Sequence, residues 1–256
     1  MALLAEHERL LPDHCGFNFR DFGGYATADG RHVKTGVLFR AGMMASVEDL
    51  GRERLAALGI VTICDLRTTH ERERRPTRWA MDLGVDIWSR DYGLSAADLN
   101  WIAERSIDSG DAMRRVMIGT YRDLPFAQAP AYRAMFERLV SGRVPLLVNC
   151  SAGKDRTGTA AALVLSALGV PRDTVLADYE LTARADFSQL NRERRIVERE
   201  ISPEVMAPLM AADASYLEAM FEAIEARSGS FEAYLADELG VGSAERARMQ
   251  ELLLDD

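Results

Sequence analysis

Residues 144–158 constrain the fold of this chain more than any other part of its sequence. Residues 144–148 are apolar, the next eight residues are polar or small, and a mostly apolar stretch then runs to Val170. A short apolar run bounded by polar residues predicts a buried strand, and the stretch after the loop predicts a helix that begins near Thr157. A strand, a tight loop and a helix in direct succession favour an α/β fold.

The rest of the chain extends this pattern. The first 45 residues predict extended segments joined by tight turns, with Asp29-Gly30 as the strongest turn signal. Residues 60–64 predict a buried strand, residues 65–75 a charged loop and residues 85–88 a weaker strand. Helical periodicity or a capping signal predicts helices from Ser46 to Leu58 and over residues 111–124, 127–141, 157–169, 172–185, 187–200, 213–228 and 243–254. We therefore expect a central, mostly parallel sheet flanked by helices, a helix-rich C-terminal half and one domain over residues 1–256.

Charge and hydropathy exclude several classes of partner. The 256 residues include 31 Lys and Arg against 40 Asp and Glu, which gives a net charge of −9. Nucleic acids and anionic membranes are bound by clustered basic side chains, so we expect neither as a partner. The longest apolar stretch, residues 160–170, is about half the length of a membrane span, and no transmembrane segment is predicted.

The cysteines and histidines bear on location and cofactors. Cys15, Cys64 and Cys150 are odd in number and irregularly spaced, which favours reduced thiols and a cytoplasmic protein. The N-terminus has no signal-peptide pattern, and secretion without such a signal stays open. The four histidines form no zinc-binding pattern, so we expect no metal and no other cofactor.

The loop after the strand has the composition of an anion-binding site. Ser151, Ala152 and Gly153 are small enough for successive backbone N–H groups to turn toward one phosphate or sulfate ion. The helix N-terminus adds unpaired donors and a positive dipole end. Arg156 can bind two phosphate oxygens through its planar guanidinium. The same positive field stabilises a thiolate at Cys150, which makes that residue a candidate nucleophile.

Alternatives to this interpretation follow from the same loop. A lone cysteine after an apolar strand is usually a core residue, but the five residues between Cys150 and Arg156, followed by Thr157, favour a site. Thr157 can hydrogen-bond the sulfur. A nucleotide-binding P-loop is excluded, because Asp155 follows Lys154 where a magnesium-binding hydroxyl is needed. A rhodanese-like sulfurtransferase loop stays open.

The segment Asn149-Cys-Ser-Ala-Gly-Lys-Asp-Arg-Thr-Gly158 resembles the H-C-x-x-G-K-D-R-T-G signature of cysteine-dependent phosphatases. It is similar above all to the bacterial tyrosine phosphatase family with lipid-phosphatase-like loops, of dual or triple specificity. Further segments resemble the same family: residues 18–25, 38–42, 64–67, 178–182 and 231–240. The resemblance covers nearly the whole chain and implies the cysteine-phosphatase fold.

The resemblance implies a two-step displacement that needs no metal or other cofactor. Cys150 attacks phosphorus and forms a cysteinyl-phosphate, Arg156 and the loop amides bind the equatorial oxygens, and water hydrolyses the intermediate. The implied substrates are phosphotyrosine, phosphoserine or phosphothreonine, and phosphoinositides, with Lys154 suited to multiply phosphorylated head groups. The resemblance also points to Asp155 as the general acid, although Asp155 can instead pair with a neighbouring arginine. Asp65 and Asp91 are weaker candidates for the acid.

Asn149 departs from the family, which has His at this position. Asn donates and accepts hydrogen bonds but carries no charge. We expect activity to be retained through Arg156, the loop amides and the helix end. The alternative is a catalytically weak module that binds phosphate or phosphoinositide without turnover.

Other charged residues leave two interpretations open. Arg20, Arg40 and Arg67 either pair with carboxylates such as Asp21 and Asp65 or attract an anionic substrate. Residues 71–75 predict a solvated face. The charged helix over residues 187–200 is either exposed or forms, with residues 205–210, a mobile lid within about residues 186–212.

Overall fold

Short strands form the sheets of this protein. The computed structural model describes residues 15–45, 47, 49–92, 107–185 and 202–255. The strands are β1 (Arg20–Asp21), β2 (His32–Val33), β3 (Leu38–Ala41), β4 (Thr62–Asp65), β5 (Asp86–Ser89), β6 (Leu146–Asn149) and β7 (Leu254–Asp255). Five of them form one sheet in the order β1-β3-β6-β4-β5, in which β1 is antiparallel to β3 and the other neighbours are parallel. β2 and β7 form a separate antiparallel pair.

Helices flank the five-stranded sheet and make up most of the described C-terminal half. They are α1 (Asp49–Ala57), α2 (Thr69–Arg74), α3 (Arg78–Asp82), α4 (Gly110–Ala127), α5 (Ala129–Val140), α6 (Asp155–Leu168), α7 (Arg172–Glu180), a 3-10 turn (Leu181–Arg184), α8 (Pro203–Met210), α9 (Ala214–Ser228), α10 (Phe231–Asp237) and α11 (Ser243–Leu253). In the described part of the chain, no helix is both long enough and apolar enough to cross a membrane. The predicted α/β fold with a mostly parallel sheet and a helix-rich C-terminal half is confirmed.

The central strand β6 explains why the sheet is covered on both faces. Its side chains alternate between the faces, so Leu146 and Val148 belong to one apolar cluster and Leu147 to the other. A strand buried on both faces is a continuous apolar run, which is the pattern in residues 144–148. The helix α6 packs on the Val148 side, where its buried residues join the same cluster as α4, α5 and α9.

The strand register brings three loops to one edge of the sheet. Ala41 at the end of β3 and Asp65 at the end of β4 both pair with Asn149 at the end of β6. Because parallel strands end at the same edge, the loops after them converge beside the N-terminus of α6. This edge holds the candidate site.

The predicted charged loop over residues 65–75 is wrong in part, because α2 lies within it. Thr68 Oγ1 accepts a hydrogen bond from the Glu71 backbone at 3.2 Å, and the Glu71 carboxylate accepts one from the Thr68 backbone at 2.7 Å. This capping box, a threonine followed three residues later by a glutamate, is a local sequence signal for a helix start.

Two other predicted features lie outside the described residues. Ser46, the expected helix cap before α1, is one, and the charged segment 187–200 is the other. The described end of the expected lid forms α8, in which Val205 and Leu209 are buried against the main apolar cluster.

Candidate active site

Cys150 lies at the start of a tight loop between β6 and α6. Its side chain is buried, and the Gly153 N–H donates to its Sγ at 3.2 Å. Gly153 has a φ of +67°, and a Cβ there would lie 2.6 Å from the Gly42 nitrogen and 2.7 Å from the Ala41 carbonyl carbon. Glycine is therefore required at position 153 both for its conformation and for the close approach of the loop after β3.

Donors from the N-terminal segment hold the outer side of this loop. The Asn18 side-chain amide donates to the carbonyls of Ala152 (3.3 Å) and Gly153 (3.2 Å), and Arg40 Nη2 also donates to the Gly153 carbonyl at 3.1 Å. The Met43 N–H donates to the Ser151 carbonyl at 2.9 Å. In a trans peptide the next N–H points away from the carbonyl, so these bonds leave the following N–H groups to point toward the inner side of the loop. The arrangement suits an anion.

A buried ionic cluster stands behind those donors. Arg40 Nη1 pairs with Asp178 at 2.6 Å and Arg20 Nε lies 3.5 Å from the same carboxylate. Arg20 also donates to Asn18 Oδ1 at 2.6 Å, which links the cluster to the loop. Burial opposes the charge of Asp178, but the two guanidinium groups hold its pKa below the usual range. Burial and the neighbouring Arg40 lower the pKa of Arg20 to about 10.

These contacts bear on whether Arg20, Arg40 and Arg67 pair with carboxylates or attract an anionic substrate. Arg20 and Arg40 have Asp178 as partner, which the sequence analysis did not propose. Arg67 pairs with Asp65 at 2.6 Å, one of the pairings expected. All three guanidinium groups are buried, so their described contacts are structural.

Arg156 is held by a carboxylate that the sequence analysis assigned to the solvent. Its two terminal nitrogens donate to the two oxygens of Glu71 at 2.8 and 2.9 Å. Nη1 also donates to the Leu66 carbonyl and to the Tyr92 hydroxyl, at 2.9 and 3.0 Å. Ser151 donates its hydroxyl proton to the Glu71 carboxylate as well. The predicted solvated face over residues 71–75 is therefore wrong for Glu71, whose side chain is only 25% exposed.

Pairing of Glu71 with Arg156 favours the charged form of each side chain. Burial opposes the charge of Glu71, but the hydrogen bonds and charge of Arg156 lower the pKa of Glu71 to about 2. Burial likewise opposes the charge of Arg156, but Glu71 and the nearby sulfur of Cys150 hold the pKa of Arg156 well above its usual value. The guanidinium is thus charged and fixed in orientation before any substrate binds.

Asp155 and Lys154 lie at the start of α6 and contact each other. Asp155 Oδ1 accepts a hydrogen bond from the Tyr121 hydroxyl at 2.8 Å and lies 3.3 Å from Lys154 Nζ. Lys154 is buried, and its ammonium donates to the carbonyls of Leu209 and Ala211 at the C-terminal end of α8. A cation at this end of a helix is stabilised by the helix dipole. In this structure the Lys154 ammonium binds α8, and its predicted contact with substrate stays a prediction.

Thr157 and Asn149 flank the loop. The Thr157 hydroxyl donates to the Ala41 carbonyl at 3.4 Å, so its predicted contact with the Cys150 sulfur stays a prediction. The Asn149 side-chain nitrogen lies 3.5 Å from Asp65 Oδ1, and Asn149 Oδ1 is buried with no hydrogen-bond partner among the described residues. Asp65 is occupied by Arg67, and the exposed Asp91 pairs with Arg72 at 2.6 Å.

In the described part of the chain, no group of three or more His, Cys, Asp or Glu side chains is placed to hold a metal ion. The chemical groups that converge on the loop are instead a thiol, loop amides, a helix N-terminus and a guanidinium. Such a set is suited to a tetrahedral anion placed next to the thiol.

Comparison with known proteins decides the class of this site. A model of the tyrosine phosphatase family matches residues 13–255. The chain belongs to the tyrosine phosphatase family. The family match includes the whole Cys150–Arg156 loop and the segments that brace it, and it confirms the predicted class, a cysteine-dependent phosphatase.

Individual relatives agree with the family assignment. The chain is 38% identical to a candidate tyrosine-protein phosphatase of Cupriavidus necator, over 89% of this chain and 83% of the relative. It is 33% identical to the triple specificity protein phosphatase PtpB of Mycobacterium tuberculosis, over 96% of this chain and 99% of the relative. A tyrosine-protein phosphatase of Nostoc commune is 31% identical over 70% of this chain and 58% of the relative.

The residues that sequence reasoning missed are those that brace the predicted loop from a distance. Glu71, Asn18 and Asp178 are among them. Their segments drew attention only through the family resemblance and the charge pattern, and no local spacing connects any of them with residue 150. The capping signal at Thr68 was the one local clue to the position of Glu71.

Proposed function

We propose that this phosphatase hydrolyses phosphomonoesters with Cys150 as nucleophile and Arg156 as the group that binds the transition state. The thiolate attacks phosphorus, the leaving oxygen departs, and water then hydrolyses the cysteinyl-phosphate and restores the thiolate. The observation that carries this proposal is the loop itself. Cys150 Sγ accepts the Gly153 N–H, and the carbonyls of residues 151–153 are held outward by Met43, Asn18 and Arg40. Backbone donors arranged in advance cost no reorganisation during the reaction.

We assign the substrate-binding role to the amides of Ser151, Ala152, Gly153 and Lys154, and a supporting role toward the thiolate to Thr157. Inorganic phosphate or sulfate is the simplest anion that this loop accommodates. Asp155 is the general acid of the proposal, since it lies at the helix start beside the loop and its side chain is 23% exposed. Proton donation of this kind typically contributes about 10²–10⁴-fold to a rate.

The substrate class follows from the relatives. The M. tuberculosis relative is named for triple specificity, and we propose phosphotyrosine, phosphoserine or phosphothreonine, and phosphoinositide substrates for this chain. Lys154 can add a cation for a multiply phosphorylated group only when its ammonium leaves the carbonyls of Leu209 and Ala211, to which it donates in this structure.

We further infer one phosphatase domain over residues 1–256 and a cytoplasmic location. The sheet is shared by both apolar clusters, which supports the single domain. The three cysteines are free and buried, which suits a reducing compartment.

The test compares Cys150→Ser with a matched control, Cys64→Ala, in which a buried cysteine outside the loop is replaced. The native chain and the Cys64→Ala control should hydrolyse 4-nitrophenyl phosphate, and Cys150→Ser should not. Calorimetry should show that Cys150→Ser still binds inorganic phosphate. Phosphate binding by the native chain without turnover would instead support a catalytically weak module. Sulfur transfer from thiosulfate to cyanide would support a sulfurtransferase.

A panel of phosphotyrosine, phosphoserine and phosphothreonine peptides and short-chain phosphoinositides then tests the substrate class. The proposal expects kcat/KM to be measurable for all three classes and lost for each in Cys150→Ser. Activity confined to the phosphotyrosine peptides would contradict the broad specificity while leaving the reaction type intact.

A further inference from the structure

The two oxygens of the Asp155 carboxylate have different surroundings. Oδ1 accepts the Tyr121 hydroxyl at 2.8 Å and lies 3.3 Å from the Lys154 ammonium. No described residue donates a hydrogen bond to Oδ2. A carboxyl group that donates a proton is best oriented when one oxygen is held by hydrogen bonds and the other carries the proton. The contacts of Asp155 hold Oδ1 in this way and leave Oδ2 without a donor among the described residues.

The hydrogen bond from Tyr121 to Asp155 fixes the direction of a second hydrogen bond, between Tyr121 and Tyr179. The hydroxyls of Tyr121 and Tyr179 lie 2.6 Å apart. A tyrosine hydroxyl has one proton to donate. Because Tyr121 gives its proton to Asp155, Tyr179 must donate to Tyr121, and the chain runs from Tyr179 through Tyr121 to Oδ1. Burial raises the pKa of both tyrosines well above the usual value, so both remain donors throughout the neutral range.

Packing keeps both rings in place. Tyr179 lies so close to α6 that a Cβ at Gly158 would be 2.8 Å from its ring. The Tyr121 ring packs against that of Tyr216 with centroids 5.4 Å apart, and both side chains are fully buried. The donor that reaches Asp155 therefore has little freedom to move.

We propose that Tyr121, supported by Tyr179, is a positioning residue that holds Oδ1 of Asp155 and leaves Oδ2 to carry the catalytic proton. This inference rests on the proposed role of Asp155 as general acid. In the first step the Cys150 sulfur forms a bond to phosphorus, the bond from phosphorus to the leaving oxygen breaks, and the proton passes from Oδ2 to that oxygen. In the second step Oδ2 takes a proton from the attacking water as the S–P bond breaks. The Tyr121 proton stays on Tyr121 throughout.

Tyr121 is expected to raise the rate by keeping the Asp155 carboxyl group in one orientation. Small misplacements of a catalytic group can cost about 10²-fold in rate. Without the Tyr121 hydroxyl the carboxyl group can rotate, and its proton is no longer confined to Oδ2, the oxygen to which no described residue donates a hydrogen bond.

The experiment measures kcat/KM, which reports the steps up to cysteinyl-phosphate formation, for two aryl phosphates. Phenyl phosphate has a poor leaving group that needs the acid, and 4-nitrophenyl phosphate has a good one that needs it little. Tyr121→Phe should lower kcat/KM for phenyl phosphate by about tenfold and for 4-nitrophenyl phosphate by less than about threefold. Tyr179→Phe should give the same selectivity to a smaller extent, and it provides the test if Tyr121→Phe does not fold.

Two further variants separate the possible failures. Asp155→Asn should show the same selectivity more strongly, and adding Tyr121→Phe to it should change nothing more. Tyr234→Phe is the control, since this buried tyrosine donates to the Pro125 carbonyl at 2.8 Å and should change neither rate. An equal loss for both substrates, or no loss, in Tyr121→Phe and Tyr179→Phe would overturn the inference while Asp155→Asn remains selective. If Asp155→Asn itself shows no selectivity, the proposed acid is wrong and the inference falls with it.

Discussion

Glu71 shows how a single side chain can serve two elements. Its backbone and carboxylate complete the capping box of α2, and the same carboxylate binds both terminal nitrogens of Arg156, which lies 85 residues further along the chain. A bidentate pair sets the plane of the guanidinium as well as its position. The orientation in which Arg156 meets an anion therefore depends on a helix that shares no local sequence signal with the loop.

Glu71→Gln should lower kcat/KM by about tenfold or more, because a neutral amide cannot accept both guanidinium bonds and Arg156 loses its orientation. The matched control is Glu73→Gln, which removes an exposed carboxylate from the same helix. Steady-state kinetics with 4-nitrophenyl phosphate measures the effect, and equal rates in the two variants would exclude a role for Glu71.

Glu71→Gln should also change how the stability of the fold depends on pH. The pKa of Glu71 falls from its ordinary value of 4.5 to about 2 in the folded protein. A depressed carboxyl pKa stabilises the folded state above about pH 4.5, and this contribution is lost as the pH falls toward 2. The free energy of unfolding of the native chain, measured with urea, should therefore fall by about 3 kcal/mol more between pH 4.5 and pH 2 than that of Glu71→Gln. Parallel pH profiles for the two proteins would contradict the shift.

Asn149 offers a second test at the scale of one residue. Its side chain is buried next to Asp65, and its Oδ1 has no partner among the described residues. A histidine here can be charged beside the Asp65 carboxylate and the thiolate, so Asn149→His should move the acidic limb of the rate profile to lower pH. Asn149→Gln, similar in size but uncharged, should leave that limb in place. A profile unchanged in Asn149→His would contradict this account of position 149.

At the scale of elements, the loop is held in place by strands and helices far from it in sequence. Asp178 on α7 pairs with Arg40 on β3 and lies near Arg20 on β1, and Arg40 in turn donates to the Gly153 carbonyl. Asp178 thus connects α7 to the loop through two buried cations. Removing one partner of such a cluster leaves uncompensated charge in the core.

Asp178→Asn should lower the free energy of unfolding by about 3–5 kcal/mol, because Arg20 and Arg40 remain buried without their carboxylate. Denaturant unfolding at neutral pH measures this loss. Glu180→Gln changes an exposed carboxylate on the same helix and should have little effect. Since the pKa of Asp178 is also held below its usual range, its contribution is present at neutral pH and is lost in acid. A loss as small as that of the control would show that the cluster does not stabilise the fold.

The elements that the sequence predicted well are those with a long or uniform pattern. The apolar run of β6 and the small apolar residues of α6 were recognised because burial on all sides leaves little else in the sequence. The short helices α3 and α10 were not predicted, since fewer than two turns give little periodicity. The helix α2 was missed because its charged residues suggested a loop, although its capping box was present.

At the scale of the whole molecule, Lys154 joins the loop to α8. Its ammonium is buried and donates to two carbonyls at the end of that helix, while Val205 and Leu209 pack into the main cluster. A buried ammonium is costly unless it is hydrogen-bonded, so the end of α8 and the loop stabilise each other.

Lys154→Met removes the ammonium donors and leaves an unbranched side chain that is one heavy atom shorter. Hydrogen bonds from charged groups contribute about 1.5–3 kcal/mol, so amide exchange over residues 203–211 should accelerate by about tenfold or more. The control is Lys34→Met, which removes a donor to the Leu252 carbonyl near the end of α11 and should leave exchange in α8 unchanged. Exchange measured by mass spectrometry that is the same in both variants would exclude the link.

The sequence alone predicted the α/β class, the position of the loop and the presence of both Cys150 and Arg156 in it, because these depend on neighbours within one strand-loop-helix unit. It also indicated the family, since several separate segments of the chain resemble motifs of that family. The residues that hold the loop in place are brought to it by the fold. Asn18 and Glu71 contact residues of this loop across 135 and 85 residues of chain. Arg40 contacts it across 113 residues and is itself paired with Asp178. Such contacts arise when parallel strands end at one edge of a sheet, and no local pattern records which side chains then meet.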